Sequence, residues 1–140
     1  GLLDIFEEDE LTCAKRELVE EAGLEAEQWD VLVDLVTSPG FAEEAVRVFI
    51  ARGLREVERP EAENEEADMG FTWMDLGEAA DAVLRGDIVN SIAVSGILAA
   101  TRVEAGQSEP RSVDEPFELR PTSLPTRRAS QGAVPDMKKI

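Results

Sequence analysis

The sequence predicts a single-domain α/β fold on three grounds. Helical periodicity over residues 8–22 gives way to two Val- and Leu-rich, strand-like segments, then a short aromatic one and two more helical stretches. A length of 140 residues suits one hydrophobic core rather than two. The composition, 43% hydrophobic and 32% charged, is that of a globular protein leaning to high charge.

Taken in order, Leu11, Ala14, Leu18 and Ala22 recur at spacings of three and four, which predicts a helix over 8–22 with one narrow apolar face. Gly23 stops it, because a left-handed backbone costs glycine little. Trp29–Thr37 is predicted as a strand, Pro39-Gly40 as a turn, and Ala45–Ala51 as a second strand with alternating faces. Residues 58–68 read as a polar, acidic loop. Met69–Met74 reads as a short aromatic strand. Asp75 with Glu78 forms a capping box before a helix from Leu76 to Arg85, ended by Gly86. Asp87 is expected to cap a last helix, with Ile88, Ile92 and Leu98 along one side. From residue 104 the chain turns to Gly, Ser, Pro and Arg with few large apolar residues, so the domain is expected over 1–103. The tail, 104–140, is then either disordered or laid over another surface.

The charge narrows the chemistry. A formal net charge of −17 argues against nucleic acid or an anionic membrane as partner, since both need a positive surface. A phosphorylated substrate remains compatible, provided a divalent cation bridges carboxylates to phosphates. The sequence has no histidine, which removes imidazole zinc sites and Ser-His-Asp or Cys-His catalysis. Its single cysteine, Cys13, excludes an internal disulfide; no signal segment or membrane span is visible, and a cytoplasmic location is expected. Carboxylates are the plentiful catalytic groups that remain.

They are concentrated in Arg16-Glu17-Leu18-Val19-Glu20-Glu21-Ala22-Gly23-Leu24. On a helix, Glu17, Glu20 and Glu21 stand at i, i+3 and i+4, so three carboxylates share one face. They repel one another and lie near the negative end of the helix dipole, an arrangement that costs stability. A bound dication reverses the sign of those terms, and all-oxygen ligation suits Mg²⁺ or Mn²⁺. Alone, such a cluster also reads as an ordinary solvated acidic face. The wider pattern decides: Gly1, Glu8, seven residues, then R-E-L-V-E-E-A-G-L resembles the Nudix box, with one departure, six residues rather than five between Gly1 and Glu8.

That resemblance implies a Nudix α/β/α sandwich. It implies Glu17 and Glu21 as principal metal ligands, Glu20 as an additional or water-mediated one, Arg16 as the residue orienting the carboxylates, and Glu8 as its support. Thr37-Ser38-Pro39-Gly40-Phe41-Ala42-Glu43-Glu44, with Pro39 sixteen residues after Gly23, is similar to the ADP-ribose pyrophosphatase subgroup. By that likeness Ser38, Gly40 and Glu44 would touch the terminal ribose or a phosphate; a plain strand-joining turn is the alternative. The subgroup also implies a glutamate base on a loop, which Glu66 or its neighbour Glu65 fits, against the alternative of a solvated acidic loop. The likeness runs over residues 1–103 and more loosely over 120–128.

The implied reaction is Mg²⁺-dependent hydrolysis of ADP-ribose to AMP and ribose 5-phosphate by a homodimer. Two rivals stand beside it: a Nudix pyrophosphatase for another nucleoside diphosphate derivative, and a non-catalytic acidic domain binding cations or a partner. The chain opens at Gly1 without an initiator methionine, and three predicted strands are few for a self-sufficient sheet. Strands preceding Gly1 are therefore expected, and with them adenine-binding residues and a carbonyl completing the metal shell. As it stands, the chain is expected to be inactive or nearly so.

Overall fold

A computed structural model describes residues 8–38, 40, 44–59 and 72–119. Its order is α1 (Glu10–Ala22), β1 (Leu24–Val36), β2 (Ala45–Glu56), α2 (Leu76–Arg85) and α3 (Ser91–Glu104). The expected α/β class is what the structure shows: among the described residues, three helices and one antiparallel sheet of two strands. α1 packs on β1, while α3 packs on both strands and on α2. Among the described residues Cys13, Leu24, Val31, Ala79 and Ala82 are the buried apolar ones, so each of α1, β1 and α2 contributes to the core. Among the described residues no helix is long and apolar enough to cross a membrane.

Both strands exceed their predicted bounds. β1 begins at Leu24 rather than Trp29, and β2 runs to Glu56 rather than Ala51. The added ends are polar because they pair with each other, Glu25 opposite Arg55 and Gln28 opposite Arg52, with Glu25 and Arg55 in an ion pair. Apolar alternation marks only the other half, where Val31 faces Phe49, Val33 faces Val48 and Leu35 faces Val46. Trp29 meets Phe49 edge-on at 6.1 Å between ring centroids.

Local chemistry sets the helix ends. Asp9 caps α1, its Oδ1 accepting from the Thr12 N–H at 2.7 Å, so the helix starts two residues later than predicted. Asp75 caps α2 by accepting from the N–H groups of Gly77 and Glu78 at 3.0 and 3.4 Å, and Gly86 ends it at φ 85°. The expected cap Asp87 is displaced by Asn90. Asn90 Oδ1 accepts from Ile92 and Ala93 at 3.0 and 3.1 Å, while Asp87 accepts from Arg85 Nε at 3.1 Å. Periodicity put Asp87 near the right place, but its backbone N–H completes the end of α2 by donating to Ala82 O. Of the short strand predicted over 69–74, Thr72–Met74 is not a strand, and 69–71 lie outside the described residues.

The composition change near residue 104 coincides with the end of α3. Residues 105–119 then return to the sheet. Val31 and Arg111 exchange backbone hydrogen bonds of 2.8 and 2.9 Å along the edge of β1 not taken by β2. Arg47 holds this return: it donates to both Asp34 oxygens at 2.8 and 3.1 Å, to Glu115 O at 2.7 Å and to Pro116 O at 3.1 Å, and its guanidinium lies 4.9 Å from the Phe117 ring centroid. Arg111 adds a bond to Asp34 Oδ2 at 2.7 Å.

Burial alone would raise the Asp34 carboxyl, but hydrogen bonds from Arg47 and Arg111 outweigh it and hold the group below the usual carboxylate range. A depressed folded value means a contribution complete above the unfolded value of about 3.9 and lost as pH falls through the folded one. Urea melts against pH should therefore show this contribution flat from pH 7 to about 4 and falling below. Asp34→Asn should remove that acid limb; an unchanged acid profile would contradict the assignment.

Candidate metal centre

The site is built on α1 and begins with an ion pair. Arg16 and Glu8 pair through two bonds, Nε to Oε2 and Nη2 to Oε1, each 3.0 Å. The Glu8 side chain is only 6% exposed, so this is a partly desolvated, geometrically fixed pair. The Arg16 hydrogen bond is the main reason the Glu8 carboxyl lies below its ordinary value, against the opposing effect of burial. The same bond raises Arg16 above its usual value. Cys13 sits beneath them, with Arg16 Nη2 donating to its Sγ at 3.8 Å. Burial first, and then the charge of Glu8, pushes its thiol up, so it stays protonated rather than acting as a nucleophile at neutral pH.

The remaining nitrogen of Arg16 faces the acidic residues. Nη1 donates to Glu17 Oε1 at 3.3 Å and to Glu20 Oε2 at 3.1 Å. Two of the three helix carboxylates thus converge on one positive point, while the Glu21 side chain is exposed on the same helix. Among the described residues no three acidic or thiol groups are arranged to hold a metal, and Arg16 occupies the point on which Glu17 and Glu20 converge. The donor set nonetheless fits a hard dication: all oxygen, and already converging on positive charge. The bidentate hold of Glu8 on Arg16 uses Nε and Nη2, not the Nη1 that meets Glu17 and Glu20.

The turn between the strands carries the next set. Thr37 N donates to Glu44 O at 3.2 Å and closes it. Ser38 is half-buried, Gly40 is exposed at φ 85°, and Glu44 is exposed. Thr37 Oγ1 is buried without a hydrogen-bond partner at the mouth of this turn. Pro39 and 41–43 lie outside the described residues, as do Glu65 and Glu66. The structure therefore brings Glu8, Arg16, Glu17 and Glu20 together, and shows no contact joining Ser38, Gly40 or Glu44 to them.

Comparison with known proteins supplies the context for this geometry. The NUDIX domain family matches residues 1–92, which include the whole of α1 and its carboxylates. The chain belongs to the Nudix family. It is 54% identical over 131 residues to an ADP-ribose pyrophosphatase of Mycobacterium tuberculosis, a match covering 94% of this chain and 63% of that protein. It is 34% identical over 90 residues to a methanol dehydrogenase activator of Bacillus methanolicus, covering 64% of this chain and 49% of that one. The chain thus spans less than two thirds of the length of either relative. The first match is too long to stop at residue 103, so likeness continues into the segment returning to the sheet.

Within this Nudix chain, Gly23 does more than end the helix. At φ 65° its N–H donates to the carbonyls of Leu18 and Val19, and its own carbonyl accepts from Val57 N at 2.9 Å. A Cβ there would lie 3.4 Å from Val57 O and 3.6 Å from the Cβ of Arg59. Gly23→Ala should cost about 1–2 kcal/mol, mostly from the left-handed backbone. Chemical denaturation would measure this, and a loss below about 0.3 kcal/mol would contradict a strained site. Sequence reasoning missed Arg59, which touches the end of α1 from 39 residues away; no local pattern marks such a contact.

Proposed function

We propose that this Nudix chain is the acidic catalytic part of an ADP-ribose pyrophosphatase, hydrolysing ADP-ribose to AMP and ribose 5-phosphate with Mg²⁺, Mn²⁺ serving as a substitute. The observation that carries the reading is its 54% identity to a protein of that name across 94% of the chain, supported by the spacing of Glu17, Glu20 and Glu21 along α1. Family members generally use divalent metals, which suits an all-carboxylate, histidine-free site.

Glu17 and Glu21 hold the cation, with Glu20 as a third or water-mediated ligand. Arg16, locked by Glu8, orients Glu17 and Glu20. A dication held there would supply the positive charge that offsets the pyrophosphate and the charge developing at phosphorus. Glu66, or its neighbour Glu65, takes a proton from the attacking water. Ser38, Gly40 and Glu44 contact the terminal ribose or a phosphate. Residues 1–103 form the catalytic unit, with 104–140 a tail whose first part straps the sheet. The protein works in the cytoplasm as a homodimer; the exposure of Leu84 and Val89 supports a covered face. Sedimentation showing only monomer at micromolar concentration would refute the dimer.

A panel of nucleoside diphosphate sugars tests the substrate. In the protein that carries this chain, kcat/KM for ADP-ribose should exceed that for UDP- and GDP-sugars by at least about tenfold, the scale of one lost polar contact. Faster turnover of another nucleotide sugar would redirect the reading within the family. Absence of hydrolysis across the panel, with metal still bound, would leave a cation-binding domain instead.

A further inference from the structure

We propose that Arg59 is a positioning residue for the acidic face of α1, setting its affinity for the dication through the last helical turn. This rests on the reading of Glu17, Glu20 and Glu21 as metal ligands. α1 carries Glu20 and Glu21 and no basic residue in its last turn, so nothing in that turn offsets the negative end of its dipole. Arg59 supplies that charge from outside. Its Nε donates to the Glu20 carbonyl at 2.9 Å, across 39 residues of sequence.

The carbonyls at the end of α1 are satisfied in a definite order. Those of Leu18 and Val19 accept from Gly23, that of Glu20 accepts from Arg59, and that of Gly23 accepts from Val57. Two of these bonds come from one short segment leaving β2, which lies against Gly23 where the chain turns at φ 65°. The segment therefore pins the turn on which Glu20 and Glu21 stand. Glu20 is held from both sides: its backbone by Arg59 and its carboxylate by Arg16 at 3.1 Å. Loss of the Arg59 bond frees the turn to fray, and a frayed turn no longer presents Glu20 and Glu21 with Glu17 in one geometry.

The test is Mn²⁺ binding followed by electron paramagnetic resonance, without substrate, in the protein that carries this chain. Arg59→Gln should weaken Mn²⁺ binding about tenfold, the lower end of what an outer-sphere contact controls. Arg59→Lys keeps charge and a donor but not the planar geometry, and should weaken it about threefold. The Mg²⁺ concentration for half-maximal activity should rise in the same ratios, with kcat at saturating metal kept within about twofold. A merely structural residue would lower the melting temperature and leave the metal affinity of the folded protein unmoved. Wild-type affinity in folded Arg59→Gln overturns the proposal; should that variant not fold, wild-type affinity in Arg59→Lys does so. Glu21→Gln is the control: if it binds Mn²⁺ as wild type does, the reading of the acidic face fails and this inference with it. If only Arg59→Gln is unaffected, the inference alone falls.

Discussion

Replacing Glu21 with Gln in the protein that carries this chain is expected to slow hydrolysis by on the order of 10²–10³-fold, the scale of removing one charge-stabilising group from an active site. Glutamine has the size of glutamate but offers no negative charge, so it ligates a dication poorly. The same change removes one like-charge pair at i,i+4 spacing from Glu17 and one anion from the negative end of the helix. The variant should thus lose activity while its melting temperature stays level or rises slightly. Activity and stability moving in opposite directions is the signature of a site maintained against its own electrostatics. Wild-type turnover, or an activity loss explained by unfolding, would contradict the role given to Glu21.

Arg47→Met is expected to have the largest effect on stability. Its side chain is 3% exposed and that of Asp34 is 14% exposed, so the pair is largely out of water. Removing one partner leaves a buried carboxylate uncompensated, which costs about 3–5 kcal/mol when burial is complete; about 3 kcal/mol is expected here because Arg111 still reaches Asp34. Glu115 and Pro116 lose their donor at once, and the strap over the edge of β1 loosens. Asp34→Asn in the same background should recover part of the loss, since no unpaired charge is left behind. Urea denaturation of the single and double variants measures both. A destabilisation under about 1 kcal/mol would show the cluster to be solvated in effect.

These two sites differ in how far the sequence disclosed them. The acidic face was legible because helical spacing alone puts Glu17, Glu20 and Glu21 together, and the longer pattern ties Arg16 and Glu8 to it. In the structure Arg16 and Glu8 form a bidentate pair across eight residues. The Asp34–Arg47–Arg111 cluster was not legible. Its members lie on two strands and a return segment, up to 77 residues apart, and each reads singly as a surface charge. For the same reason the tail's composition left open whether it was disordered or laid on a surface, and residues 105–119 take the second course. The strand ends were missed because charged cross-strand pairs replace apolar alternation there. The last helix cap was misplaced because two cap-forming residues, Asp87 and Asn90, stand three apart and periodicity cannot choose between them.

If the acidic face of α1 binds a divalent cation and uses it to cleave a nucleotide pyrophosphate, turnover of ADP-ribose must depend on that cation. The most direct test is product analysis of ADP-ribose with the protein that carries this chain, following AMP and ribose 5-phosphate while Mg²⁺ is titrated against a chelator. Stoichiometric release of both products, abolished by chelation and restored by added Mg²⁺, is the predicted result. Hydrolysis that persists undiminished with the metal removed, or binding of the cation with ADP-ribose left intact, would contradict it.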